Sequence, residues 1–112
     1  MKKVECIIRP TALEPVRKAL GEIGLRGMTV TQVMGSGNQR GTREFFRGRV
    51  YETDLLPRIK LEIVVEDLAV DHVLKVIMEH ARTGERGDGK IFIFDVAQAV
   101  RIRSGEAGSA AL

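Results

Sequence analysis

Cysteine, aromatic residues and long apolar runs are scarce in this chain of 112 residues. It holds one cysteine, three prolines, no tryptophan, one tyrosine and four phenylalanines. The lone thiol, Cys6, excludes an intramolecular disulfide and has no metal-ligand partner nearby, so it reads as a buried strand thiol. No apolar stretch approaches the roughly 18 residues that span a bilayer. The opening "MKKVECIIRP" lacks the long apolar region of a secretory signal, so a cytoplasmic setting without direct membrane insertion is expected. Net charge is only +3, from 18 basic against 15 acidic side chains. That is too mild to demand nucleic acid, although it suits a small anionic ligand where arginines converge. His72 and His80 have no carboxylate or cysteine at ligand spacing, and no Ser-His-Asp or Cys-His arrangement points to hydrolytic or redox catalysis.

What is present is periodicity. Apolar residues make up 44% and charged residues 29%, the balance of one globular domain over 1–112. "VECII" (4 to 8) alternates as a strand with Val4, Cys6 and Ile8 on one face, and Pro10 ends it. Thr11 and Glu14 form a capping box, with Pro15 in the first turn and Leu13, Val16, Leu20 and Ile23 at helical spacing. Gly24 and Gly27 stop that helix, and "MTVTQVM" (28 to 34) is a second strand. "RIKLEIVV" (58 to 65) alternates cleanly as the third. Asp67 caps a second helix with a stripe of Val70, Val73, Leu74, Ile77, Met78 and Ala81, which Gly84 closes. "KIFIFDV" (90 to 96) is the fourth strand and "AVRIR" (99 to 103) a short fifth.

The order βαββαβ predicts an α+β, ferredoxin-like sandwich with both helices on one face of an antiparallel sheet. The open face carries Glu5, Ile7, Thr29, Thr31, Arg58, Lys60, Glu62 and Val64, a mixed surface for solvent or other subunits. RNA-recognition modules share this order, but the aromatics on which they stack bases are missing from "VECII" and "RIKLEIV".

Two glycine-rich segments carry the chemistry. In "TGERGDGKIFIF" (83 to 94), Gly84, Gly87 and Gly89 permit positive φ, so that backbone N–H groups can converge on an anion while Lys90 adds charge. The spacing is not that of a Walker A motif, and the segment precedes a strand rather than a helix. Arg101 and Arg103, two apart on an extended segment, leave the same face. "GSGNQRG" (35 to 41) starts where strand two ends, inside a polar connection of about twenty residues where a hairpin needs about 2–5. In a ferredoxin-like sheet these segments need not meet within one subunit, whereas a cleft between subunits could bring them together. No nucleophile stands near the phosphate turn, so a bound phosphate compound is a signal rather than a substrate.

"MKKVECIIRP", "GMTVTQVMGSG", "LEIVVED", "TGERGDGKIFIFDV" and "VRIRSGE", in this order and spacing, resemble the PII family of nitrogen-regulatory signal-transduction proteins over essentially the whole chain. The resemblance implies a homotrimer that binds ATP or ADP in clefts between subunits, with 2-oxoglutarate and Mg²⁺ beside ATP. It implies nucleotide contacts from Thr29, Gly35, Gly37, Asn38, Gln39, Glu62, Val64, Gly87, Asp88, Gly89, Lys90, Arg101 and Arg103. For 2-oxoglutarate it implies Gln39, Arg40, Gly41, Arg58 and Gly87, with Gln39 ligating the Mg²⁺. It implies a T-loop, residues 37–55, that docks on target proteins, and leaves open an ammonium channel, a glutamine synthetase adenylyltransferase, a nitrogen-sensing histidine kinase or an arginine-pathway kinase as the target. Tyr51 stands where the family carries the tyrosine modified by a nucleotidylyltransferase (uridylylation). The expected protein is a regulator, not an enzyme, with at most a slow incidental ATPase.

Three positions depart from the family pattern. Arg58 replaces a lysine that pairs with the distal carboxylate of 2-oxoglutarate, Asn38 replaces an arginine, and "FFRGRVY" alters the surroundings of Tyr51. A sensor of adenine nucleotides alone, or of another small anion serving carbon metabolism, stays open as the alternative.

Overall fold

The computed structural model describes residues 1–37, 43–46, 49–52 and 55–112. Strand β1 (Lys2–Ile8) buries Val4, Cys6 and Ile8, every second residue, as a one-sided strand must. Helix α1 (Leu13–Glu22) buries Val16, Ala19 and Leu20. Strand β2 (Thr29–Gly35) follows, then a short ribbon of β3 (Arg43–Phe46) and β4 (Arg49–Glu52). Strand β5 (Leu56–Val65) buries Ile59, Leu61, Ile63 and Val65; helix α2 (Val70–Ala81) buries Val73, Val76, Ile77 and Ala81. Strand β6 (Lys90–Asp95) completes an antiparallel sheet of order β2-β5-β1-β6. This is the expected ferredoxin-like α+β arrangement.

The core lies between the sheet and the two helices. Each fully buried Leu, Ile or Val, such as Leu20, Leu61 and Ile77, contributes about 1.5–3 kcal/mol. Cys6 sits within that core as expected, and burial pushes its thiol up to about 11, so almost no thiolate exists at neutral pH.

Both helices start differently from the sequence reading, for one physical reason. A 3-10 turn, Pro10–Ala12 before α1 and Asp67–Ala69 before α2, makes its own i→i+3 bonds. Ala12 N–H reaches the Arg9 carbonyl at 3.0 Å and Ala69 N–H the Glu66 carbonyl at 3.0 Å. Side-chain caps are therefore absent from both helix N-termini. Glu14 instead pairs with Arg17 at 2.8 Å, and Asp67 faces the N-terminal ammonium at 2.9 Å, which lowers its pKa.

The fifth strand is also replaced. Residues 99–108 close on themselves through one β-bridge, Val100 to Ala107, with Arg101 N–H on the Glu106 carbonyl at 2.8 Å. Gly105 and Gly108, at φ 75° and 70°, make this fold-back accessible where an L side chain would be strained. Part of the long connection, expected as loop, is the β3-β4 ribbon with Phe45 opposite Val50 and Phe46 opposite Arg49. The β-favouring Phe45, Phe46, Val50 and Tyr51 are concentrated there.

Candidate functional site

The segment from α2 to β6 is organised by Asp88. Its carboxylate accepts the N–H groups of Thr83 at 2.8 Å and Gly84 at 2.9 Å, and the Thr83 hydroxyl. Arg9 Nε donates to the same carboxylate at 3.4 Å. These donors, the Thr83 hydroxyl foremost, hold the Asp88 carboxyl down to about 2. A second Arg9 nitrogen donates to the Arg86 carbonyl at 2.7 Å. The negative charge of Asp88 is thus turned into the loop and matched there. Lys90 begins β6 exposed, and among the described residues no ion pair or side-chain hydrogen bond engages its ammonium.

The glycines have separate causes. Gly84, Gly87 and Gly89 all take positive φ, at 89°, 96° and 106°. At Gly89 a Cβ would lie 1.8 Å from the Ile7 carbonyl oxygen, so close approach to β1 requires glycine there whatever the loop binds. A groove of about 420 Å³ opens beside the loop, between α2 and β6, lined by Leu74, Met78, Asp88, Gly89, Lys90 and Ile91 among others.

Other candidates lie on β2, the opposite edge strand, and on its interior neighbour β5, where Val64 pairs with Lys3 of β1. Thr29 pairs with Glu62, and Gly35 with Leu56, at the two ends of β2. Glu62 is bridged by Lys3 at 3.2 Å and Lys60 at 3.9 Å. Arg58 crosses Gly35, whose added Cβ would sit 3.5 Å from the arginine Cγ, and its guanidinium donates to the Pro57 carbonyl at 2.8 Å. One register row runs Thr31, Lys60, Ile7, Lys90 across all four strands. Three inter-strand steps of about 4.8 Å put the β2 and β6 edges roughly 14 Å apart. The structure therefore joins Gly87, Asp88, Gly89 and Lys90 in one loop, and Thr29 with Glu62 and Gly35 with Arg58 on the β2-β5 side. Within one chain it does not join the two sets.

Arg101 and Arg103 do not project side by side from a strand, because the chain turns there. The Arg101 guanidinium donates to Glu106 at 3.4 Å and to the Leu112 carbonyl at 3.2 Å, while Arg103 is exposed in the turn.

The family model for nitrogen regulatory protein P-II matches residues 1–106. The chain belongs to the P-II family. It is 53% identical over 112 residues, all of both chains, to nitrogen regulatory protein P-II 1 of Escherichia coli (strain K12), and equally to the P-II of Klebsiella oxytoca. To the P-II of Pasteurella multocida it is 53% identical over 106 residues, 95% of each chain.

In this P-II chain Asn38, Gln39, Arg40 and Gly41 lie outside the described residues, while Tyr51 falls in β4 opposite Glu44. Sequence reasoning missed Arg9 and Thr83. The spacing of Thr83, Gly84 and Asp88 is a local turn signal that was there to be read. Arg9 has none, since its partner Asp88 is 79 residues away. It also left Lys90, Phe92 and Phe94 off the open face of the P-II sheet, where their pairing with Ile7, Glu5 and Lys3 puts them. Strict alternation from Ile91 would have found them. The Lys3 ammonium sits over the Phe94 ring, 4.6 Å from its centroid.

His80 Nδ1–H donates to the Val76 carbonyl one turn back at 2.9 Å. Among the described residues no helix is long and apolar enough to cross a membrane.

Proposed function

We propose that this P-II protein is a cytoplasmic, trimeric sensor of ATP, ADP and 2-oxoglutarate that regulates nitrogen metabolism by docking its T-loop on target proteins. The observation that carries the reading is the division of the candidate residues between the β6 edge of the sheet and its β2-β5 side. A head-to-tail ring sets the β2 edge of one subunit against the β6 edge of the next. Gly35 and Arg58 of one chain then share a cleft with the 83–90 loop of its neighbour. Exposed apolar side chains support assembly: Phe92 and Phe94 remain 45% and 44% exposed in the single chain.

The loop suits a polyphosphate. With Asp88 neutralised inside it by Arg9 and three donors, the backbone of Gly87 and Gly89 and the Lys90 ammonium are left to face the anion. Arg101 and Arg103 add charge, and Thr29, Glu62 and Val64 lie toward the adenine. Mg²⁺ supplies the template on which nucleotide and 2-oxoglutarate meet, and it demands near-octahedral oxygen ligation. Gln39 offers the amide oxygen, Arg40, Gly41 and Gly87 border the oxo acid, and Arg58 takes its distal carboxylate. Since Gln39 belongs to the T-loop, ligation moves the loop, and the two ligands' affinities are coupled reciprocally. Tyr51 is the nucleotidylylation site in this reading. The ligands act as signals, and the protein is not an enzyme.

Calorimetric titration tests this. ATP and ADP should each bind, and 2-oxoglutarate should give heat only with ATP and Mg²⁺ present. Gln39→Glu should lose 2-oxoglutarate and keep ATP. A wild-type protein without ATP heat, or a monomer by light scattering, overturns the reading. One observation favours the narrower reading, a sensor of adenine nucleotides alone: the Arg58 guanidinium donates to its own neighbour's carbonyl, that of Pro57. Absent 2-oxoglutarate heat in the wild type, restored by Arg58→Lys, selects that alternative.

A further inference from the structure

Arg9 is used twice in the 83–90 loop, and only one of its contacts is an ion pair. The other holds the Arg86 carbonyl at 2.7 Å. In a trans peptide the C=O and the following N–H point in opposite directions, and no cis peptide occurs among the described residues. Drawing the Arg86 carbonyl toward Arg9 therefore aims the Gly87 N–H away from it, out of the loop interior. The φ of 96° at Gly87 fits the same orientation, because a turn whose central peptide is flipped this way needs positive φ at its third residue. Without a Cβ, Gly87 adopts negative φ as readily. The flipped-back peptide would show the anion a carbonyl instead of an N–H.

We infer that Arg9 is a positioning residue that locks the 86–87 peptide with its N–H outward, so that the loop presents a donor rather than an acceptor to phosphate. The inference rests on the nucleotide reading above for its ligand, though not for the lock itself. Two features make arginine suited to the task. Its planar fork donates to the Arg86 carbonyl and the Asp88 carboxylate together, which a single ammonium does poorly. Its partner Asp88 is in turn fixed by the N–H groups of Thr83 and Gly84, so the fork is held at both ends. Arg9 itself follows β1 directly, and the sheet gives the clamp a rigid base.

The experiment reads the peptide and the ligand separately. In ligand-free protein, backbone couplings and residual dipolar couplings give φ of Gly87; in parallel, ATP with Mg²⁺ is titrated calorimetrically. Wild type should show one positive-φ state. Arg9→Ala and Arg9→Lys should both populate negative φ and weaken ATP by about ten-fold, the loss expected for one charge-assisted hydrogen bond. Gly87→Ala, which disfavours positive φ with Arg9 intact, should weaken ATP in the same direction, and it decides the matter if the Arg9 variants do not assemble. Arg9→Ala with Gly87 still at positive φ overturns the lock. Wild-type ATP affinity in Arg9→Lys, beside a loss in Arg9→Ala, assigns the effect to charge and also overturns it. Wild type that binds no ATP while Gly87 still flips in Arg9→Ala sinks the nucleotide reading and leaves the lock standing.

Discussion

The 83–90 loop and the C-terminal segment 99–112 offer cations to the same proposed ligand, and they treat their acidic neighbours in opposite ways. In the loop, Asp88 is consumed by Thr83, Gly84 and Arg9, which leaves Lys90 exposed. In the C-terminal segment, Glu106 takes Arg101 itself at 3.4 Å, and the Ser104 hydroxyl donates to the same carboxylate oxygen at 2.8 Å. A count of basic residues treats Lys90 and Arg101 alike. What an anion meets is the charge that internal pairing leaves over, so Lys90 is ready for it and Arg101 must first be released.

The largest effect expected from breaking this contrast is at Gly89. Gly89→Ala places a Cβ against the Ile7 carbonyl at a φ of 106°, so it should cost about 2–5 kcal/mol from strain and overpacking together. Denaturant melts measure it, and an unchanged midpoint would mean that the loop is not anchored on β1. Next come the two cations. Lys90→Ala should weaken ATP by about ten-fold or more, and Arg101→Ala by less, because part of its interaction is spent on parting from Glu106. Equal losses in the two titrations would erase the distinction.

Acid should open the loop only at low pH. Asp88 titrates near 2 in the folded chain against an ordinary 3.8, so its charged form is the stabilising one. That contribution is complete above about pH 4 and is lost as pH falls through about 2. Amide exchange at Thr83 and Gly84 should quicken over that window, and Asp88→Asn should show no such transition. The smallest effect is a gain. Glu106→Gln should free Arg101 and tighten ATP by up to about five-fold, the range of an exposed ion pair; weakened binding would show that Glu106 positions Arg101 instead of competing for it.

Elements with one buried face were legible from the chain alone. The alternation of Val4, Cys6 and Ile8, and of Ile59, Leu61, Ile63 and Val65, marks the core side of β1 and β5, and the apolar stripes of α1 and α2 match it. The helix starts were misread because Thr11 and Asp67 are good caps in isolation, while a 3-10 turn ahead of each helix had already satisfied the backbone. Arg101 and Arg103 were misread as a strand pair because Gly105 and Gly108 act through φ, which residue type permits without dictating.

By itself the sequence determined which residues face inward, the order of elements and a loop rich in glycine with a lysine behind it, since periodicity and turn chemistry are local properties. Only the tertiary structure decided that Gly89 must lack a side chain, that Asp88 faces inward, and that the candidate residues divide between the β6 edge of the sheet and its β2-β5 side. Those outcomes depend on the register of β1 against β6, which sets Ile7 opposite Lys90 and brings Arg9 to a carboxylate 79 residues further along. Alternation fixes which face each strand buries, but β1 and β6 are joined by no turn, so their mutual register comes from the assembled sheet.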